Sequence, residues 1–147
     1  MAINNARRFA AKLGAAAAIA VGVGLGAPAL ASAEPAAPQI SASPSSGLAA
    51  TQTITVTGSG LPGSDTFNVG QCVSLSPTDL ACDFSTSLQV DSSASGTLST
   101  PLTVNRAFTA TSGSGATVAV DCTVDDCVVG VYNASFVGGS VAISFAG

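Results

Sequence analysis

Beyond residue 50, apolar and polar residues alternate one for one in a series of short runs. Thr53-Ile54-Thr55-Val56-Thr57 sets Ile54 and Val56 on one face and three threonines on the other. Phe67 and Val69 repeat the pattern, as do Leu98, Leu102 and Val104. Thr117 to Val120, Val128 to Tyr132 and Val141 to Phe145 complete it. Side chains of a strand point alternately to opposite faces, so a period of two in Thr- and Val-rich segments predicts half-buried strands. Turn formers separate the runs: Pro44 to Gly47, Gly58 to Gly60, Pro62 to Asp65, Ser76 to Asp79, Ser92 to Gly96, Ser112 to Gly115, and Gly138-Gly139. They recur roughly every dozen residues, the spacing of an antiparallel sandwich. No amphipathic helix and no second domain is expected, and the Ser/Gly-rich stretches are too short for linkers.

The first residues follow another pattern. Arg7, Arg8 and Lys12 precede a nearly continuous apolar run from Leu13 to Gly26, and Ala31-Ser32-Ala33 supplies small residues at a cleavage site. This predicts a secretory signal over residues 1–33, cut before Glu34. The run is short for a span of about 20 residues, and Pro28 interrupts its end. A secreted, extracellular domain of residues 34–147 follows, with no membrane segment in the mature form. Its Pro/Ala-rich lead, Glu34 to Pro38, reads as unstructured or edge-lying.

Cleavage changes the charge. Only Arg106 remains as a cation against eight carboxylates, a formal charge of −7. Such a surface repels a phosphate backbone, which needs several Lys or Arg to displace counterions. A basic small molecule suits it better. Arg106 reads as the outward end of a strand. All four cysteines lie in the exported part, where an even count implies disulfides. Three pairings are open; Cys72–Cys82 with Cys122–Cys127 closes the shortest loops, each stabilising by roughly 2–3 kcal/mol in the chain-entropy account. Without histidine or a C-x-x-C spacing, zinc is not supported.

An enzyme needs groups that move protons, attack or hold metal. Residues 34–147 contain no histidine and no lysine. The aspartates are scattered in turn-like contexts, no serine sits in a G-x-S-x-G elbow, and Asp125-Asp126 reads as a solvated turn. The domain is therefore expected to be non-catalytic, without a metal or a covalently held cofactor.

More specific segments run through the whole domain. Gly58-Ser59-Gly60-Leu61 is followed by Val69-Gly70-Gln71-Cys72 and, ten residues after that cysteine, by Cys82. Val120-Asp121-Cys122 precedes Cys127, and the chain closes on Val141-Ala142-Ile143-Ser144-Phe145. In this order they resemble the neocarzinostatin family of antibiotic apoproteins. The resemblance implies an all-β fold, an immunoglobulin-like seven-stranded antiparallel sandwich with a disulfide-tied ribbon. It also implies a monomeric carrier that holds a hydrophobic enediyne chromophore non-covalently. DNA is reached only indirectly, through the released chromophore, whose chemistry does the damage.

Carried over residue by residue, Cys72 and Cys82 match the disulfide that floors the family's cleft. Leu80 matches an apolar floor residue, and Gly130 a glycine that keeps the cleft wall low. Tyr132 falls where the family has a small polar residue beside the ligand. Ser74 and Ser87 stand where aromatic rings are expected, and a third aromatic position falls among Thr111 to Gly115, which holds none. Tyr132 and Phe136 are the candidates to fill that space. Two readings result: a chromophore carrier using Cys72, Ser74, Leu80, Cys82, Ser87, Gly130 and Tyr132, or an extracellular immunoglobulin-like interaction module of the same fold that has lost chromophore binding.

Overall fold

The computed structural model describes residues 37–147; the expected signal and its cleavage point lie outside the described residues. In chain order the strands are β1 (Gln39–Ser43), β2 (Thr51–Ser59), β3 (Thr66–Ser76), β4 (Asp79–Cys82), β5 (Leu88–Asp91), β6 (Leu98–Asn105), β7 (Ala107–Ser112), β8 (Thr117–Asp121), β9 (Cys127–Tyr132) and β10 (Gly138–Ala142). The fold is all-β, as the alternation requires.

One sheet runs β1-β2-β6, and the other runs β10-β9-β3-β4-β7-β8, with β5 also paired to β3. All ladders are antiparallel. The first half of β3 takes β5 as its neighbour and the second half takes β4, so one edge of β3 is shared by two strands. One layer is thus β1, β2 and β6, and the other has seven strands, with β4, β7 and β8 adding Ala81, Ala110 and Val120 to the core. β4 continues the second sheet outward through β7 and β8. Cys72 and Cys82 face each other across β3 and β4 and are disulfide-bonded, which makes that hairpin the tied ribbon. Cys122 bonds to Cys127, closing the loop from β8 to β9.

The core takes the apolar faces of the predicted runs. Ile54 and Val56 of β2 and Leu102 and Val104 of β6 cluster with Phe67 and Val69 of β3 and Val129 and Val131 of β9. Each is essentially without solvent contact. Burying one such side chain stabilises by about 1.5–3 kcal/mol, so the alternation is the main specifier of which face turns inward. The threonine face stays outside, where Thr53 and Thr103 share a hydroxyl hydrogen bond of 3.3 Å across the sheet.

Some boundaries differ from the sequence pattern. Gly58-Ser59 and Gly138-Gly139 are not turns; they lie within β2 and β10. The final alternation ends as a strand at Ala142, yet Ile143 and Phe145 stay buried. Phe145 instead makes an isolated parallel bridge to Leu48. Arg106 is not a strand end but the bend between β6 and β7, half-buried, with its N–H donated to Ala50.

One polar residue is packed into this frame. Gln71 of β3 has no solvent exposure. Its Nε2 donates to the Asn105 carbonyl at 2.7 Å, and its Oε1 accepts the Asn105 N–H at 2.8 Å. A buried amide is tolerated because both of its ends are paired. The pair fastens the centre of β3 to the bend where the chain leaves β6 for β7.

Candidate functional site

β3 and β9 lie side by side with Gly70 directly opposite Gly130. Their neighbours Val69, Val129 and Val131 point into the core, so by strand alternation these glycines face the other side. Two paired glycines leave bare backbone there. A Cβ at Gly130 would stand 3.2 Å from Tyr132 Cε2 and 3.6 Å from Cys72 Sγ; one at Gly70 would stand 3.2 Å from Ser87 Cβ. The missing side chains thus let the Tyr132 ring, the ribbon disulfide and Ser87 settle close to the sheet.

Above this floor is a cavity of about 530 Å³. Cys72, Cys82, Leu80 and Asp79 of the ribbon line one part of it, Ser87 and Phe84 another, and Gly130, Tyr132 and Phe136 a third. Thr111 and Gly113 reach it from β7 and the following turn. The volume is that of an ordinary small-molecule site.

Of the seven residues singled out by sequence, six border this cavity: Cys72, Leu80, Cys82, Ser87, Gly130 and Tyr132. Ser74 stands apart. It is exposed near the ribbon tip, where its Oγ donates to the Ser76 carbonyl at 3.3 Å and its N–H donates to the Asp126 carbonyl. The β-bulge between Ser74 and Ser76 disturbs the register there. Position 74 follows Cys72 by two and pairs with Leu80, which borders the cavity, but the Ser74 hydroxyl turns to the Ser76 carbonyl instead.

Two local motifs hold the walls. The buried Asp83 carboxylate accepts the Ser85 N–H at 2.9 Å, the Ser85 hydroxyl at 2.6 Å and the Thr86 hydroxyl at 3.2 Å. This knots the loop after β4, folds Ser87 over Gly70 and leaves Phe84 67% exposed. The buried Asn133 does the same after β9. Its Oδ1 accepts the N–H of Ser135 and of Val137, and its Nδ2 donates to Asp65 at 2.8 Å. That loop carries Phe136, which is 85% exposed.

Positions 74 and 87 lack rings, yet Phe84, Tyr132 and Phe136 all border the cavity. Sequence reasoning pointed to Tyr132 and Phe136 but missed Phe84 and Gly70. The Asp83-x-Ser85-Thr86 spacing, an aspartate ahead of hydroxyl residues, is the signal for the loop that displays Phe84.

The lining has one charged side chain, Asp79, and one ionisable hydroxyl, Tyr132. No nucleophile stands beside a base, and no group of three metal-ligating side chains occurs among the described residues. Asp125 and Asp126 are used locally: Asp125 Oδ2 accepts the Asp121 N–H at 2.9 Å, and the Asp126 carbonyl accepts from Ser74. Away from the cavity, Asp121 has its carboxyl lowered below the usual range, first by the Thr123 hydroxyl at 2.7 Å, then by the Thr123 N–H, with a smaller contribution from Arg106.

The fold is an antiparallel sandwich with a disulfide-tied ribbon and a cavity of small-molecule size, floored by glycines and bordered by aromatic rings. Residues 40–145 match the Neocarzinostatin family, and the chain belongs to it. It is 36% identical over 112 residues to macromomycin of Streptomyces macromomyceticus, covering 75% of this chain and 78% of that protein. It is 34% identical over 111 residues to actinoxanthin of Streptomyces globisporus, covering 75% and 77%. The solved structure of macromomycin superposes with a TM-score of 0.70, spanning 75% of this chain and all of the other. The solution conformation of apokedarcidin, 33% identical, gives 0.59 over 76% of this chain and all of that one. Membership makes the protein a non-catalytic apoprotein of the antibiotic chromoprotein type.

Proposed function

We propose that this protein is a secreted carrier that binds a hydrophobic, polycyclic or enediyne-type chromophore in the cavity over the Cys72–Cys82 ribbon and shields it from water. The supporting observation is the cavity itself: about 530 Å³, floored by Gly70 and Gly130 and bordered by Phe84, Tyr132 and Phe136. The walls present rings, disulfide sulfur and backbone, which suit an apolar ligand, and the lone Asp79 suits a basic group on it. Export follows from the N-terminal pattern, and among the described residues no helix is long and apolar enough to cross a membrane. DNA damage is assigned to the released ligand, because an acidic domain with one cation has no means to hold a phosphate backbone.

The chain contains one tyrosine and no tryptophan, and that tyrosine borders the cavity. Intrinsic fluorescence therefore reports the site alone. Titration with a stable chromophore analogue should change Tyr132 emission saturably, with one equivalent bound by calorimetry. No binding at millimolar analogue would overturn the carrier reading. The second reading, an extracellular interaction module, is favoured by the exposure of Phe84 and Phe136, which also suits a protein partner.

A further inference from the structure

The Asn133–Val137 loop contains a conflict. Phe136 has φ of 59°, in the left-handed region that glycine or asparagine normally fills. The hydrogen bonds of Asn133 to Ser135 and Val137, and of the Phe136 N–H to the Asn133 carbonyl at 3.0 Å, fix this conformation. A bulky residue here strains the backbone, and burial of its ring does not offset that strain, because the side chain is 85% exposed. The same residue borders the cavity. Phe84, from a separately knotted loop, borders it too and is 67% exposed. Strain and exposed aromatic area thus coincide at one mouth.

We propose that Phe136, assisted by Phe84, is the specificity-determining residue of the cavity, its ring covering a planar aromatic portion of the bound molecule. This rests on the carrier reading. The exposed ring loses its contact with water only when ligand enters, so the apolar gain appears on binding and not on folding. A planar aryl group gains stacking with the ring as well as area, whereas a saturated ring system of the same outline gains area alone.

The test compares wild type with Phe136→Gly and Phe136→Leu, using ethyl 2-naphthoate and its fully saturated decalin analogue as probes, read by Tyr132 fluorescence and calorimetry. Wild type should prefer the naphthyl probe. Phe136→Gly should unfold at a higher temperature, because the strain is relieved, yet bind the naphthyl probe roughly threefold to tenfold more weakly, the scale of an aromatic contact. Phe136→Leu should lose most of the preference between the two probes. If wild type binds both probes and neither variant changes the preference, this inference fails while the carrier reading stands. A lower unfolding temperature for Phe136→Gly would show the ring to be structural and would overturn it as well. If wild type binds neither probe, both fail.

Discussion

Gln71 is the residue whose removal tests the fold most sharply. Gln71→Leu keeps the approximate volume and deletes both side-chain hydrogen bonds to Asn105, 2.7 Å from Nε2 to its carbonyl and 2.8 Å from its N–H to Oε1. The two backbone groups of Asn105 are then left without those partners. Leaving a buried polar group unsatisfied costs about 1–3 kcal/mol. Asn105 is only half-buried, so water recovers part of the loss, and leucine gains some apolar burial. The expected net destabilisation is about 2–3 kcal/mol, or roughly 8–24 °C in Tm for a domain near 100 residues. Gln71→Glu sharpens the argument. Its carboxylate can accept from Asn105 N–H but cannot donate to the carbonyl; protonated, it can do both. Burial raises the folded pKa of such a group above its unfolded value. The variant's deficit should therefore be large at neutral pH and shrink as pH falls through that folded pKa. Denaturant unfolding with disulfides intact, followed by circular dichroism, measures both. A Gln71→Leu protein within about 0.5 kcal/mol of wild type would refute the reasoning, since that is the range of a surface change.

Other outcomes follow from the same geometry. Gly130→Ala places a methyl 3.2 Å from the Tyr132 ring, so that ring must shift toward the cavity; unfolding should change little while analogue affinity falls several-fold, measured by calorimetry. Asp121 should titrate below an ordinary aspartate in NMR, because Thr123 stabilises its charged form; its contribution to stability is present above the unfolded pKa and is lost as pH falls through the folded one. The apoprotein should not bind duplex DNA at physiological salt, and salt-sensitive micromolar binding would contradict the charge argument. The secreted form should begin at Glu34 within a residue or two by N-terminal sequencing, and a secreted form retaining Leu13 to Ala27 would overturn the signal assignment.

The sandwich was legible because its strands are amphipathic at a period of two. The runs that became β2, β6, β8 and β9 announced themselves by alternating Val, Ile or Leu with polar residues. The strands that escaped notice, β1, β5 and β7, carry few large apolar side chains, and only the neighbouring strand shows what they pair with. The bends at Gly58 and Gly138 were misread because glycine serves both turns and strands, and only the hydrogen-bond ladder distinguishes them. In the site, Cys72, Cys82, Leu80, Gly130 and Tyr132 were carried over from the family resemblance position by position, and the fold brings them around one cavity. Ser74 lies outside the lining although its register partner Leu80 borders the cavity, because its hydroxyl is turned to the Ser76 carbonyl. Phe84 was invisible because its position depends on the Asp83 knot, a local hydrogen-bond pattern with no hydrophobic period.

The most direct test of the carrier claim is native mass spectrometry of the protein secreted by its own source, paired with its absorption spectrum. The account predicts the mature domain, with two disulfides, accompanied by one non-covalently held aromatic small molecule that dissociates on unfolding and absorbs where a protein lacking tryptophan does not. A native preparation showing only the apoprotein mass and no extraneous absorption, from cells that retain all their secondary metabolism, would contradict it.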